Sequence, residues 1–171
     1  EIDPEMVGEG RAAMRFRASV KVRGGLGLIP TRLGGVGVLW KQPFSSEEVA
    51  ARIRKWHAPW HREIAVALEA RRARFGTAVL IDLHSMPSIR DWRQSGPVPL
   101  IVLGDLFGKS MDRAVMAALE AELRSTGLVV ARNHPYSGGY TLDRHGAPHK
   151  GIHAVQLEVD RALYLDRDGD A

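Results

Sequence analysis

The sequence contains no cysteine among its 171 residues. Disulfides and thiolate ligands are thereby excluded, and any metal must be held by His, carboxylate or water. Export is neither implied nor excluded by this. The sequence also lacks an apolar run long enough to span a bilayer, and its acidic opening is not a signal peptide, so no membrane partner is expected. A charge excess of one sign is nearly absent: 24 Lys and Arg face 20 Asp and Glu, for a formal +4. The basic residues gather at Arg15, Arg17, Lys21 and Arg23 and again at Arg71, Arg72 and Arg74. They lack the aromatic interleaving or motif of a nucleic-acid module and read as solvated faces. There is no internal repeat, low-complexity segment or domain linker. What is present is 44% hydrophobic residues in 171, enough for one globular domain with a real core.

The informative stretch is Ala78 to Ser88, where an apolar run stops at Asp82, His84 and Ser85. The run reads as a strand buried on both faces, with Pro87 ending its ladder. Its polar end then lies at the carboxyl edge of a sheet, where open α/β folds bind ligands. Asp82 and His84 are two apart and share a face. Such a histidine can ligate a metal or move a proton, with Asp82 orienting it. The plainer alternative is a strand ending in turn residues, with a locally satisfied histidine.

Elsewhere the pattern alternates between strands and helices. Glu1 to Val22 shows no period and reads as loop. Gly24, Gly25, Gly27, Gly34, Gly35 and Gly37 suit short, sharply turned strands. Ser45 and Glu48 form a capping-box pair ahead of a helical stripe of Val49, Ile53 and Trp56, which Pro59 should break or kink before Trp60, Ile64 and Leu68 resume it and Gly76 ends it. His57 and His61 are four apart, but Pro59 lies between them and no acid lies beside them, so they are not expected to hold a metal. Ile89 to Pro97 is a loop that can lie across the site. Strands are expected at Pro99–Leu103, Leu128–Ala131 and Ile152–Val159, and a helix capped by Ser110 with Val115, Leu119 and Leu123 on its buried face. Asn133 to Tyr140 is a loop whose glycines let backbone N–H groups approach a ligand. His149 and His153 are expected to be structural. The resulting architecture is α/β, with a mostly parallel sheet, helices on both faces and polar strand ends along one edge. Asp82, His84, Asn133, Tyr136 and Glu158 meet there, the groups that metal-assisted amide hydrolysis requires.

Taken in order, Gly27-Leu28-Ile29-Pro30-Thr31-Arg32, Asp82-Leu83-His84-Ser85-Met86-Pro87, Gly104-Asp105 through Phe107-Gly108, Asn133 with Pro135-Tyr136-Ser137-Gly138-Gly139-Tyr140, and Gly151 through Arg161 with Leu163-Tyr164 resemble the N-formylglutamate amidohydrolase (deformylase) family, a relative of the zinc carboxypeptidases. The resemblance implies a three-layer, phosphorylase/hydrolase-like (zinc-exopeptidase-like) fold and a cytoplasmic hydrolase with a divalent ion, zinc, as cofactor. It implies His84 as a metal ligand and Glu158 as general base and acid. Tyr136, Ser137, Gly138 and Gly139 would border an N-acyl amino acid substrate, with Arg32, Asp82, Ser85 and Asn133 lining the same site. Arg32, Arg90, Arg93 and Arg132 are the candidate partners for substrate carboxylates. The family's His-Ser-Gly and Asn-Arg segments, expected to supply further ligands, do not occur in these 171 residues. The expectation is therefore a single amidohydrolase domain cut short at its amino end and, after Tyr164, at its carboxyl end. A carboxypeptidase-like or aminoacylase activity on another acyl group, and a binding domain that has lost its metal site, are the alternatives.

Overall fold

The structure, a computed structural model, describes residues 27–33, 36–90, 92 and 96–165. Readings made for Glu1–Val22, for the basic residues Arg15 to Arg23, for Gly24, Gly25, Gly34 and Gly35, and for Arg93 lie outside those residues. The chain divides into two compact units, Glu1–Glu63 and Ile64–Ala171.

In the first unit the expected short strands form a hairpin, β1 (Arg32–Leu33) against β2 (Gly37–Val38), antiparallel. Gly37 has φ +89°, a value only glycine adopts without strain. The Trp40 indole N–H closes the hairpin base on the Pro30 carbonyl at 2.7 Å. Helix α1 (Ser46–Arg52) starts at the expected capping box: Ser45 Oγ accepts from the Glu48 N–H at 3.2 Å, and the Glu48 carboxylate accepts from the Ser45 N–H at 2.8 Å. That backbone hydrogen bond, followed by the hydroxyl contact, holds the Glu48 carboxyl below its ordinary range. Pro59 does not break the helical path. A single π turn, Ile53–His57, closed by the Ala58 N–H on the Ile53 carbonyl, leads directly into α2 (Ala58–Phe75). Pro59 is the second residue of α2, directly after the π turn, so the interruption of the regular i→i−4 ladder that a proline brings falls where the helix already changes its pitch. Gly76 ends α2 at φ +78°.

The second unit is built on a four-stranded sheet in the order β3-β6-β4-β5, with β3 Ala78–Met86, β4 Ile101–Gly104, β5 Val130–Arg132 and β6 Ile152–Asp160. β3 is parallel to β6 and β4 to β5, but β4 runs antiparallel to β6. The sheet is thus mixed and mostly parallel, in an α/β fold. The strand ends do not all lie along one edge, because the carboxyl ends of β4 and β5 point opposite to those of β3 and β6.

Strand alternation assigns the two faces. Ala78, Leu80 and Ile152 pack against Ile64 and Leu68 of α2. On the other face Ile101, Leu103, Val130, Val155, Leu157 and Val159 pack with Met116, Val115, Leu119 and Leu123 of α3 (Arg113–Ser125). Helices therefore cover both faces of the sheet. Ser110 does not cap α3. Its hydroxyl donates instead to the Ala154 carbonyl at 2.8 Å, and the N-cap is Asp112, whose carboxylate accepts from the Ala114 and Val115 N–H groups. β3 also departs from expectation: only one of its faces is covered, and Val79, Ile81 and Leu83 stay largely exposed. It lies at the end of the described sheet, beyond the reach of α3. No helix among the described residues is long and apolar enough to cross a membrane.

His145, at the end of the short helix α4 (Tyr140–His145), is buried. Burial, and secondarily the neighbouring Arg144 charge, lowers its pKa below the ordinary 6.5. The unfolded chain therefore binds the proton first on acidification, so stability falls as the pH drops below 6.5 and levels off only once the folded imidazole titrates. Replacing His145 by Gln should flatten that slope in denaturant midpoints measured across the range. An unchanged slope would show that His145 is not its source.

Candidate active site

The parallel pairing of β3 with β6 sets His84 beside Glu158 and Asp82 beside Gln156. Neighbouring strands lie about 4.8 Å apart, so these four side chains rise from one patch of the sheet, on the same face as Ala78 and Ile152. His84 Nε2 is 3.1 Å from Asp82 Oδ1, and its Nδ1 is 3.7 Å from Glu158 Oε1. One imidazole thus faces a carboxylate on each side, one within hydrogen-bond reach and one just beyond it. The arrangement has the form of a histidine oriented by an outer carboxylate, with its second nitrogen available to a ligand or a proton.

Glu158 is only 6% exposed. A buried carboxylate is costly unless hydrogen-bonded, and here Gln156 Nε2 donates to its Oε1 at 2.7 Å. Gln156 was not singled out from sequence, although the signal was there: it lies two residues before Glu158, on the same strand face. Arg161, three residues after Glu158, does not pair with it. Its Nε donates to Ser85 Oγ at 3.4 Å. Ser85 pairs with Val159 on the opposite face, turned away from Asp82 and His84. The carboxyl ends of β3 and β6 are tied by the Ser88 hydroxyl, which donates to Asp160 Oδ1 at 2.8 Å, while the same oxygen accepts from the Ala162 N–H at 2.9 Å.

A second layer comes from the loop before α4. A Cβ on Gly104 would sit 2.6 Å from the Ser137 carbonyl carbon, so β4 and the Ser137–Gly138 turn touch backbone to backbone. The Leu106 N–H donates to the Ser137 carbonyl at 2.8 Å. Gly138 has φ +109°, and Gly139 lies against Gln156 Oε1, 3.7 Å from where its Cβ would be. The Ser-Gly-Gly turn is thereby brought to Gln156, and through it to Glu158, with Tyr136 half-buried in the same loop. Trp92 lies 5.7 Å from the His134 ring, joining the Ile89–Pro97 loop to this one, and its indole N–H is buried without a partner.

Asn133 is engaged on the side where β4 and β5 end. Its Nδ2 donates to Asp105 Oδ1 at 2.6 Å, and its Oδ1 accepts from the Asp105 and Phe107 N–H groups. Arg132 pairs with Asp105 at 3.3 Å and with Glu120 of α3 at 3.8 Å. Arg90 is exposed, and Arg32 belongs to β1 of the first unit. His153 is buried, with its Nδ1 accepting from the Asp112 N–H at 3.2 Å. His57 and His61 form an edge-on ring pair at 4.4 Å. No cluster of three or more His, Asp or Glu side chains that could hold a metal occurs among the described residues.

Three comparisons bear on this geometry. The N-formylglutamate amidohydrolase family model matches residues 1–165. The N-formylglutamate deformylase of Pseudomonas aeruginosa is 34% identical over 143 residues, 82% of this chain and 54% of its own, and that of Pseudomonas putida is 32% identical over the same shares. The chain therefore spans about half the length of these relatives. The crystal structure of N-formylglutamate amidohydrolase from Ralstonia eutropha JMP134 superposes with a TM-score of 0.84 at 30% identity, over 99% of this chain and 62% of that one.

Gly104 has ordinary backbone angles, so Gly104→Ala tests only the close approach to Ser137. The added methyl has no room against backbone atoms and should destabilise the protein by about 1–3 kcal/mol in denaturant titrations. A change below about 0.5 kcal/mol, the usual scatter of neutral sites, would show that the turn is not held against β4.

Proposed function

We propose a function from one premise: this chain belongs to the N-formylglutamate amidohydrolase family. It is a hydrolase of the amide in an N-acylated acidic amino acid, converting N-formyl-L-glutamate and water to formate and glutamate. The observation that carries this reading is the buried Glu158 carboxylate facing His84 Nδ1 at 3.7 Å, with Asp82 behind the other nitrogen. That set can take, hold and return one proton within a single patch.

The chemistry requires a water oxygen to attack the formyl carbon. Glu158 takes the water's proton as the C–O bond forms, and the Gln156 amide keeps the carboxylate aimed while the charge is redistributed. The carbonyl π electrons move onto oxygen. On collapse the C–N bond breaks, and Glu158 returns the proton to the departing amine. Asp82 fixes the imidazole so that it does not rotate away from Glu158. Tyr136 and the Ser137–Gly139 turn wall the substrate, and the carboxylates of the amino acid call for an arginine fork, for which Arg90 is exposed.

We assign a divalent ion, zinc, as cofactor with His84 as one ligand, because Asp82 occupies Nε2 and leaves Nδ1 for coordination, the pattern of ligating histidines. When bound it would supply Lewis-acid polarisation of the formyl oxygen. A catalytic zinc takes about three protein ligands, so others would have to come from outside the described residues. The lack of a three-ligand cluster among the described residues is also what favours the second reading, a metal-free binding domain.

In the full-length protein, Glu158→Gln keeps the shape and removes the base. Formate release should fall by about 10²-fold or more in kcat, with metal content and substrate affinity retained. A loss smaller than about tenfold would exclude Glu158 as the base. His84→Ala should lower the metal content measured by elemental analysis without unfolding the sheet. Full occupancy in that variant would remove His84 from the ligand set, and absence of both metal and turnover in the parent protein would favour the binding domain.

A further inference from the structure

The proposed substrate carries two carboxylates, and most arginines of the second unit are already engaged. Arg132 pairs with Asp105 and Glu120, on the side where β4 and β5 end. Arg72 and Arg124 pair with carboxylates of their own helices. Arg144 differs from these. It is exposed and pairs with no carboxylate among the described residues, yet its guanidinium is held in place. Nη1 donates to the Tyr140 hydroxyl at 2.8 Å, and the guanidinium carbon lies 5.9 Å from the centre of the Tyr140 ring.

α4 ties this pair to the site. Its first turn closes on Gly139, whose carbonyl accepts from the Asp143 N–H at 3.2 Å. Gly139 in turn lies against Gln156 Oε1, and the Gln156 amide donates to Glu158. Leu142 and His145 bury one side of α4. Tyr140 and Arg144, four apart and therefore neighbours on one face, occupy the open side. Helical side chains lean toward the amino end of their helix, which carries the Arg144 guanidinium back over Tyr140, toward the end of α4 that adjoins Gln156.

With Nη1 on the Tyr140 hydroxyl, the edge formed by Nε and Nη2 remains, two parallel N–H groups matched to a carboxylate. A guanidinium already fixed by a neighbour loses less freedom on binding than a loose one. In N-formylglutamate the α-carboxylate is attached directly to Cα, next to the scissile amide, whereas the other stands at the end of the side chain. A cation separated from Glu158 by Gln156, Gly139 and the start of α4 matches the distant carboxylate.

We infer that Arg144, held by Tyr140, binds the side-chain carboxylate of the acylated amino acid and selects acidic substrates over neutral ones. The inference rests on the amidohydrolase reading of Glu158. Tyr140 acts through Arg144, as a positioning residue.

The test compares hydrolysis of N-formyl-L-glutamate with that of N-formyl-L-glutamine, its uncharged isostere, by the full-length protein and by its Arg144→Gln variant. The parent should prefer the acid, and the variant should lose about tenfold or more of that preference, carried mainly by a higher KM for the acid. Arg144→Lys keeps the charge without the fork and should fall between the two. Tyr140→Phe removes the anchoring hydroxyl and should lower the preference by a smaller factor, whereas a role confined to holding α4 together would alter both substrates alike. An Arg144→Gln variant that keeps the parent's preference, or a parent that has none, would overturn the inference and leave the hydrolase reading standing. A parent that hydrolyses neither compound would remove both.

Discussion

Everything at the site depends on the register of one parallel strand pair. β3 and β6 stay in step from Ala78↔Ile152 to Met86↔Asp160, and this alone sets His84 against Glu158. Because side chains alternate, a slip of one residue would send Glu158 into the apolar layer packed by α3 and bring Leu157 or Val159 to His84. The pair is anchored at both ends. At the amino end the Gly151 carbonyl accepts from the Ala78 N–H at 2.9 Å and from the Thr77 hydroxyl at 3.0 Å, with Gly151 at φ +75°. At the carboxyl end Ser88 is bonded to Asp160. Polar anchors outside an apolar strand fix the register without placing unpaired groups in the core.

The burial of Glu158 follows from that register. β4 lies on one side of β6 and β3 on the other, so the carboxylate rises from the middle of the sheet, where water reaches it poorly. Gln156 supplies the compensating donor from the same strand, and His84 supplies a polar neighbour from β3. The backing of the patch is glycine. Gly104 lets the Ser137–Gly138 turn come down on β4, and Gly139 lies against the Gln156 amide. The Gly-Gly pair therefore matters by letting backbone close over the site, while Leu142, fully buried, and Leu106 hold the turn from behind.

Much of this was legible in the sequence, and the gaps have physical causes. An apolar run ending in Asp82 and His84 revealed a strand with a polar end, and the alternation over Ile152–Val159 placed Glu158 on a strand. Strand direction was not legible: four apolar residues at Ile101–Gly104 pack as well in either sense, so the reversal of β4, which turns Asn133 and Asp105 toward the opposite end, required the structure. Ser110 and Asp112 are equally good capping residues, and what decides between them is a distant carbonyl, that of Ala154, which takes the Ser110 hydroxyl. At Pro59 the local rule called for a break or a kink but could not foresee that the irregularity would take the form of a π turn just before the proline, with the helical path continuing. A run of Val, Leu and Ile reads as buried on both faces, and the sequence alone does not show that Val79, Ile81 and Leu83 stay largely exposed on one of them.

The proposed site stands or falls on Asp82 orienting His84 so that its second nitrogen faces Glu158. The most direct measurement is the ring-nitrogen NMR spectrum of His84 in ¹⁵N-labelled full-length protein, assigned through its long-range proton couplings. The neutral imidazole should carry its proton on Nε2, donated to Asp82, with Nδ1 unprotonated and open to a ligand, and Asp82→Asn should disturb this preference. A proton resident on Nδ1, shared with Glu158 and indifferent to the change at Asp82, would contradict it.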